Sequence, residues 1–167
     1  MKSAIFVDGP NLFMALNLTL PGFRLDFSAL EALLAGTCPV ALKRIYLAEK
    51  PGERGAHRFA RALQRAGWET RILRMTFRDG RATEKEVDVN LAVDLALLPY
   101  EARVDRVVLV SGDGDLAYPV RRLVASGLRV EVVQFLDVLS PRLAEAASEV
   151  RILNARELVP YQGRPAV

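Results

Sequence analysis

The chain has 167 residues, 51% hydrophobic and 26% charged, which is typical of one domain with a single sizeable core. Its single cysteine, Cys38, and single histidine, His57, exclude an intramolecular disulfide and zinc sites of the two- or three-histidine type. The sequence turns acidic at Asp8 after four apolar residues, so we expect no signal sequence, and no apolar run approaches the length of a membrane span. These features predict a cytoplasmic chain without a membrane partner, folded as one domain over 1–160 with a flexible tail over 161–167.

The net charge of +3 hides an asymmetry along the chain. Between Lys50 and Arg81 there are nine basic and three acidic residues, a net charge of +6, so the remainder carries −3. A basic segment and an acidic remainder within one domain indicate two surfaces that attract different partners.

The predicted elements alternate between strands and helices from the N-terminus onward. Short β-prone runs occupy 4–7, 45–48, 70–73, 107–110 and 130–133, and helical patterns occupy 26–34, 53–66, 84–98 and 116–125. Asp26 has the position of a helix N-cap, and Gly127 has that of a helix stop. The alternation predicts an α/β fold of three layers, with a parallel sheet covered by helices on both faces.

The segment 84–98 could form either a buried strand or a helix, because many alternate residues are apolar. Its fifteen residues, with Ala92 and Ala96 inside and Pro99 at the end, are too long for a typical strand. We therefore predict a helix that is buried nearly all round and ends before the proline. Asp88 and Asp94 stand out in this apolar setting.

Acidic residues follow two of the predicted strands directly. Asp8 follows the first strand, and Asp113 and Asp115 follow the fourth. If the strand order is 3-2-1-4-5, these two strands are neighbours where the order reverses, and ligands of open α/β sheets bind at that point. Asp88, on the helix before the fourth strand, would complete a cluster of carboxylates.

Carboxylates that converge in a cleft repel one another unless a cation is bound or some of them stay protonated. Oxygen ligands without an available histidine or thiolate favour Mg²⁺ or Mn²⁺ over Zn²⁺. Such ions activate water and neutralise the charge on phosphate, so the pattern points to hydrolysis of phosphodiester bonds.

A structural role is also open for each of these residues taken singly. Asp8 fits a simple turn, Asp115 fits a helix N-cap, and Asp88 could be solvated. Asn11 fits either a helix cap or a residue that orients a substrate or an aspartate. Asp94 lies about 120° round the helix from Asp88, so we expect it to bond to backbone or an arginine rather than to metal.

Candidate substrate contacts lie in the basic segment and just past the acidic one. Tyr118 could stack on a base, although we expect a packing role in the core or on the surface. At 100° per residue, four arginines of the basic segment form one stripe opposite the apolar face of their predicted helix. Two interpretations of the stripe stay open, a solvated helix face and a surface that contacts phosphate without reading sequence. Its members are Arg54, Arg58, Arg61 and Arg65.

Four motifs follow one another along most of the chain. They are Asp-Gly-Pro-Asn at 8–11, Lys-Glu-Val-Asp-Val at 85–89 followed by Asp94, Ser-Gly-Asp-Gly-Asp at 111–115, and Ser-Pro-Arg-Leu at 140–143. In their order and spacing they resemble the NYN-domain family, in the LabA-like branch of the PIN-like nuclease superfamily.

This resemblance implies a PIN-like, Rossmann-like fold with sheet order 3-2-1-4-5 and an acidic site for Mg²⁺ or Mn²⁺. The implied activity is that of a metal-dependent endoribonuclease acting on single-stranded or structured RNA. Lys85 joins the arginine stripe as a nucleic-acid contact. The four aspartates of the site would be the metal ligands, with the other two residues supporting them. Carried over position by position, the catalytic residues are Asp8, Asp88, Asp113, Asp115, Asn11 and Ser111.

Other classes of protein stay open. A non-catalytic module that binds RNA or protein would keep the same fold. A phosphatase of the haloacid-dehalogenase type would need a second acid at position 10, where Pro10 stands, and a toprim-type site expects a glutamate in place of Asp8. A homodimer is one possible assembly.

Overall fold

The computed structural model describes residues 1–49, 52, 55–78, 81–83 and 85–158. Within these residues, six parallel strands form one sheet and two short strands form an antiparallel hairpin. The order across the sheet is β3-β2-β1-β6-β7-β8, and the hairpin pairs β4 with β5. In chain order the strands are β1 (Ser3–Asp8), β2 (Val40–Glu49), β3 (Glu69–Arg74), β4 (Thr76–Arg78), β5 (Arg81–Thr83), β6 (Arg106–Val110), β7 (Arg129–Gln134) and β8 (Glu149–Ile152).

Helices cover both faces of the sheet. Residues of α1, α2, α3 and α7 form the core on one face, called here the α3 layer, and residues of α4, α5 and α6 form the core on the other, called the α4 layer. The helices of the described residues are α1 (Gly9–Thr19), α2 (Phe27–Ala35), α3 (Gly55–Arg65), α4 (Lys85–Glu101), α5 (Ala117–Ala125), α6 (Pro141–Ala146) and α7 (Ala155–Leu158).

The central strand β1 is buried along its whole length. Its residues alternate between the two cores, with Ile5 and Val7 in the α3 layer and Ala4 and Phe6 in the α4 layer. Such double coverage is the reason why the run is apolar without interruption.

The predicted three-layer fold and its strand order are confirmed. The five predicted strands are β1, β2, β3, β6 and β7, and they follow the predicted order across the sheet. The prediction missed β8 and the hairpin. Strand β8 has no apolar run, because it is a four-residue edge strand whose side chains are mostly exposed. The predicted tail over 161–167 lies outside the described residues.

Helix α1 was also missed, because the residues after β1 have the composition of a turn. Asp8 is the N-cap of this helix, and Pro10 lies in its first turn, where a missing N–H costs nothing. The predicted cap at Asp26 is confirmed, since its side chain accepts hydrogen bonds at the start of α2. Gly127, with a φ of 92°, follows the end of α5 as predicted.

The prediction that the helix 84–98 is buried nearly all round and ends before Pro99 is wrong. One stripe of α4 is buried against the sheet, but Val89, Val93 and Leu97 on the opposite side are between 46% and 60% exposed. The helix has a sheet on one side only, and it continues past Pro99 to Glu101 because a proline in the last turns removes a single hydrogen bond. Among the described residues, no helix is both long and apolar enough to cross a bilayer.

Candidate acidic site at the strand ends

Asp8 lies at the end of β1, where the strand order reverses. Its side chain is directed to the same face as Ala4 and Phe6, towards the α4 layer, and the residue is only 2% exposed. One carboxylate oxygen accepts a hydrogen bond from the Asn11 N–H at 3.2 Å, and the other accepts from the Ser111 hydroxyl at 2.8 Å. Two elements far apart in the chain therefore hold this carboxylate.

The segment after β6 folds around the same point. Ser111 is fully buried, and its hydroxyl oxygen also accepts a hydrogen bond from the Asp113 N–H at 3.1 Å. The Asp113 side chain accepts in turn from the Asp115 N–H at 2.9 Å and caps a short 3-10 helix over Gly114–Leu116. The capping role that was open to Asp115 thus belongs to Asp113, and Asp115 is exposed at the rim.

Asn11 connects the ends of three strands. Its side-chain oxygen accepts hydrogen bonds from the Gly112 N–H at 2.8 Å and from Nε2 of Gln134 at 2.7 Å. Gln134 is the last residue of β7, is fully buried, and accepts a hydrogen bond from the Phe135 N–H at 2.8 Å. The structure excludes the capping role for the Asn11 side chain, since the cap of α1 is Asp8, and shows that side chain holding Gly112 and Gln134 rather than an aspartate.

Two glycines allow the segment before α6 to lie directly on this loop. A Cβ atom at Gly112 would lie 2.1 Å from the Val138 carbonyl oxygen, and one at Gly114 would lie 2.6 Å from the Ser140 hydroxyl oxygen. The Ser140 N–H donates to the Gly112 carbonyl at 2.9 Å. Gly112 therefore has no room for a side chain, and a side chain at Gly114 would displace the Ser140 hydroxyl.

Electrostatic interactions couple Asp8 to carboxylates on two other segments. Burial raises the pKa of Asp8 to about 6, against the hydrogen bonds from Asn11 and Ser111, which lower it. The charges of Asp88 and Asp113 add to the increase. Asp88 lies in the first turn of α4 and is half-buried. A buried carboxyl with a raised pKa, next to other carboxyls, is more common at functional sites than elsewhere.

The donor atoms of this site fit a hard divalent cation. All are carboxylate or hydroxyl oxygens, which Mg²⁺ and Mn²⁺ prefer, and a bound cation would relieve the repulsion among Asp8, Asp88 and Asp113. As placed, however, no three acidic, histidine or cysteine side chains of the described part of the chain are close enough together to hold a metal ion. The carboxylates are gathered at one edge of the sheet but do not form a closed cage.

Asp94 belongs to a separate ionic network between α4 and the sheet. Its carboxylate accepts a hydrogen bond from the Tyr46 hydroxyl at 2.5 Å and lies 3.0 Å from Nη1 of Arg44, an ionic contact rather than a well-aligned hydrogen bond. Arg44 is buried and also pairs with Glu69 and Glu101. The prediction that Asp94 bonds to an arginine is confirmed.

The arginine stripe lies on the opposite face of the sheet from the acidic site. Helix α3 packs into the α3 layer, whereas the side chain of Asp8 is directed towards the α4 layer. Arg54 lies outside the described residues, and so does the side chain of Lys85. The nucleic-acid role of this set stays a prediction. Its exposed members are Arg58, Arg61 and Arg65.

Sequence reasoning missed Gln134 and the contacts of the two glycines. Gln134 follows an apolar run at the end of a strand, so the rule that found Asp8 could have found it, but its amide carries no charge. The contact between Gly112 and Val138 has no local signal, because it depends on a segment more than twenty residues away.

The parallel three-layer α/β sheet, with carboxylates where its strand order reverses, is consistent with the PIN-like fold. The family model of the NYN domain matches residues 2–154, so the chain belongs to the NYN-domain family of the PIN-like nuclease superfamily. The match does not distinguish the LabA-like branch, which stays a prediction.

Two similar proteins have no described activity. The chain is 23% identical, over 132 residues, to an uncharacterized protein of Methanocaldococcus jannaschii; the match covers 79% of this chain and 47% of that protein. The chain therefore spans about half the length of this curated relative. A crystal structure of a protein of unknown function from Vibrio parahaemolyticus is similar with a TM-score of 0.73 at 22% identity, over 95% of this chain and 96% of the other. This likeness supports the fold alone.

Proposed function

We propose that this domain is a metal-dependent ribonuclease that hydrolyses phosphodiester bonds of RNA with Mg²⁺ or Mn²⁺. The observation that carries the proposal is the buried carboxylate of Asp8 at the reversal of strand order, coupled to Asp88 and Asp113. If Asp8 only capped α1, its charged form would be more stable without the negative charges of Asp88 and Asp113 nearby. Membership of a nuclease superfamily supports the same conclusion.

The cation would be held by Asp8, Asp88 and Asp113, with Asp115 at the rim as a further ligand. When bound, it supplies a polarised water and neutralises charge on the phosphate. Because the pKa of Asp8 is raised to about 6, protons compete with the cation for this carboxylate in mildly acidic solution.

The polar groups around the aspartates serve to position them. The Ser111 hydroxyl and the Asn11 N–H hold the Asp8 carboxylate in one orientation. Asn11 and Gln134 hold Gly112 and with it the start of the loop that carries Asp113. Because these bonds exist before substrate arrives, less ordering has to accompany binding of RNA.

The proposed reaction breaks the bond between phosphorus and the 3′ oxygen of the preceding nucleotide. The water oxygen forms a new bond to phosphorus, and the leaving oxygen takes up a proton. The products would carry a 5′-phosphate and a 3′-hydroxyl.

The test uses labelled single-stranded RNAs of varied sequence, incubated with the pure protein and Mn²⁺. We expect cleavage that EDTA abolishes, and Asp113→Asn should slow it at least about a hundredfold, the scale of losing one group that stabilises transition-state charge. The matched control is Asp105→Asn, which changes an exposed aspartate just before β6, at the other end of that strand. The control variant should cleave like the unmodified protein.

Equal cleavage by the unmodified protein and Asp113→Asn would contradict the proposal, because the activity would then come from elsewhere. No cleavage of any RNA by either protein would also contradict it. Binding of RNA that persists in EDTA without turnover would favour a non-catalytic RNA-binding module instead.

A further inference from the structure

The outer face of α5 combines an aromatic ring with two arginines. Tyr118 is 67% exposed, and Arg121 and Arg122 are exposed as well. Residues three and four apart on a helix are neighbours on its surface, so both arginines flank the tyrosine. The opposite side of α5 packs into the core of the α4 layer, which fixes this face towards solvent.

Arg142 extends this face towards the acidic site. It is the second residue of α6 and is exposed, and its Cβ atom lies 3.9 Å from the position that a Cβ atom of Gly114 would occupy. Gly114 itself lies between Asp113 and Asp115 and four residues before Tyr118. The arginine and the tyrosine therefore belong to segments that adjoin the same acidic loop.

The three arginines are available for a ligand. Arg121, Arg122 and Arg142 form no salt bridge with any residue in the described ranges of the chain. By contrast, Arg44, Arg106 and Arg129 are all paired with glutamates or aspartates of this domain. Guanidinium groups without an internal partner can bind phosphate in a bidentate manner.

We propose that this α5 face, formed by Tyr118, Arg121, Arg122 and Arg142, binds single-stranded RNA beside the acidic loop. The tyrosine ring stacks on an unpaired base, and the arginines contact neighbouring phosphates. A duplex does not offer free base faces for such stacking, so the surface fits a single strand. The face lies on the α4 layer, as the acidic site does, whereas the arginine stripe of α3 lies across the sheet.

The inference rests on the proposed function, because a strand held on the α5 face would pass the loop of Asp113 and Asp115, where cleavage is proposed. The arginines of this face would also have an electrostatic role. Carboxylates repel the phosphates of RNA, and adjacent arginines would offset that repulsion before and after a cation binds.

The experiment measures binding of a labelled oligouridine to the full chain by fluorescence anisotropy, in EDTA and at several KCl concentrations. Tyr118→Ala should weaken binding roughly tenfold, the loss of one stacked base, with little change in salt dependence. Tyr118→Phe keeps the ring and should bind normally. The double variant Arg121→Gln with Arg122→Gln should reduce the slope of log K against log salt by about 1.4, since each lost single-strand phosphate contact removes about 0.7.

Two matched controls test other surfaces. Tyr100, 88% exposed on α4, lies twelve residues and so about 18 Å of helix beyond Asp88, and Tyr100→Ala should bind normally. Arg103→Gln changes an exposed arginine before β6, at the other end of that strand from the acidic loop, and should keep both the affinity and the salt slope. All the changed residues are exposed, and thermal unfolding confirms that each variant is folded.

Normal binding by the α5 variants would overturn the proposal, as would a lack of any binding to single strands. The proposal would also be overturned if the protein bound a duplex as tightly as a single strand and Tyr118→Ala changed neither affinity. Asp113→Asn, which tests the proposed function, should bind RNA in EDTA at least as tightly as the unmodified protein, because it removes one charge that repels phosphate. If RNA binding depends on Tyr118 but no RNA is cleaved, this inference is supported and the proposed nuclease activity is contradicted. If RNA is cleaved but the α5 variants bind it normally, the nuclease activity is supported and this inference is contradicted.

Discussion

Asp8 is both the cap of a helix and a residue of the proposed metal site. Its carboxylate caps α1 and accepts a hydrogen bond from the Ser111 hydroxyl. The same carboxylate is buried near two other acidic residues, and its pKa is raised to about 6. Burial without full compensation is a cost to the fold. Residues at functional sites often carry such a cost, because the same charge is needed for ligand binding.

The raised pKa predicts a pH dependence of stability in the metal-free protein. A carboxyl group with a higher pKa in the folded state binds its proton more tightly there, so this contribution to stability is complete below about pH 4 and is lost as pH rises through about 6. Between pH 4.5 and 7.5, urea unfolding in EDTA should show a loss of roughly 2 kcal/mol that Asp8→Asn lacks.

The matched control for this measurement is Asp26→Asn, which changes the cap of α2 in an exposed position. It should keep the pH dependence of the unmodified protein with little change in stability, because asparagine caps a helix about as well as aspartate does. An identical pH profile for the unmodified protein and Asp8→Asn would contradict the assignment of the raised pKa to Asp8.

At the scale of the element, α4 separates two aspartates with different roles. Asp88, in its first turn, acts on Asp8 at the strand ends, while Asp94 lies in the network of Arg44 and Tyr46. Burial, together with the hydrogen bond to Asp94, raises the pKa of Tyr46, so its hydroxyl keeps the proton that it donates. The network joins α4 to β2 about one and a half turns away from Asp88.

The two aspartates predict opposite outcomes for the same conservative change. Asp94→Asn removes a charge beside the buried Arg44 and should lower the free energy of unfolding by about 1 to 3 kcal/mol with Mn²⁺ affinity largely kept. Asp88→Asn should weaken Mn²⁺ binding by at least about tenfold with a smaller change in stability. Urea unfolding and calorimetric Mn²⁺ titration distinguish them, and the reversed pattern would show that the roles are exchanged.

At the scale of the whole molecule, the site exists because four distant segments meet. The ends of β1, β6 and β7 are joined by Asn11 and Gln134, and the segment before α6 lies on Gly112. The close approach of Gly112 to Val138 leaves no space for even a methyl group.

Gly112→Ala should therefore destabilise the domain and displace the acidic loop. The added Cβ atom would lie 2.1 Å from a backbone oxygen, so we expect a loss of about 1 to 3 kcal/mol or more and weaker Mn²⁺ binding. Gly55→Ala is the control, since nothing lies within 4 Å of its Cβ position and it begins α3, where alanine is neutral or stabilising. Equal stability of both variants by urea unfolding would contradict the packing described for the loop.

The alternation of strands and helices could be predicted because it depends on local pattern, whereas the strand order was implied by the resemblance to the NYN-domain family. An apolar run such as 107–110 and a cap such as Asp26 are visible in adjacent residues. The burial of α4 was overestimated, because Val89 and Val93 are apolar in sequence although, within the described ranges, no element covers them. Edge strand β8 was missed for the opposite reason, since exposure on one edge removes the pattern that marks a strand.

By itself, the sequence determined the alternating α/β architecture, the placement of aspartates at strand ends and the scarcity of nitrogen and sulfur ligands for a metal, with one histidine and one cysteine. These properties depend on neighbouring residues and on composition, which need no knowledge of distant contacts. Only the tertiary structure decided that Ser111 binds Asp8 across 103 positions, that Gln134 binds Asn11 across 123, and that Asp94 faces Arg44. Side chains so far apart come together through crossovers between parallel strands, and no local pattern encodes which pairs will meet.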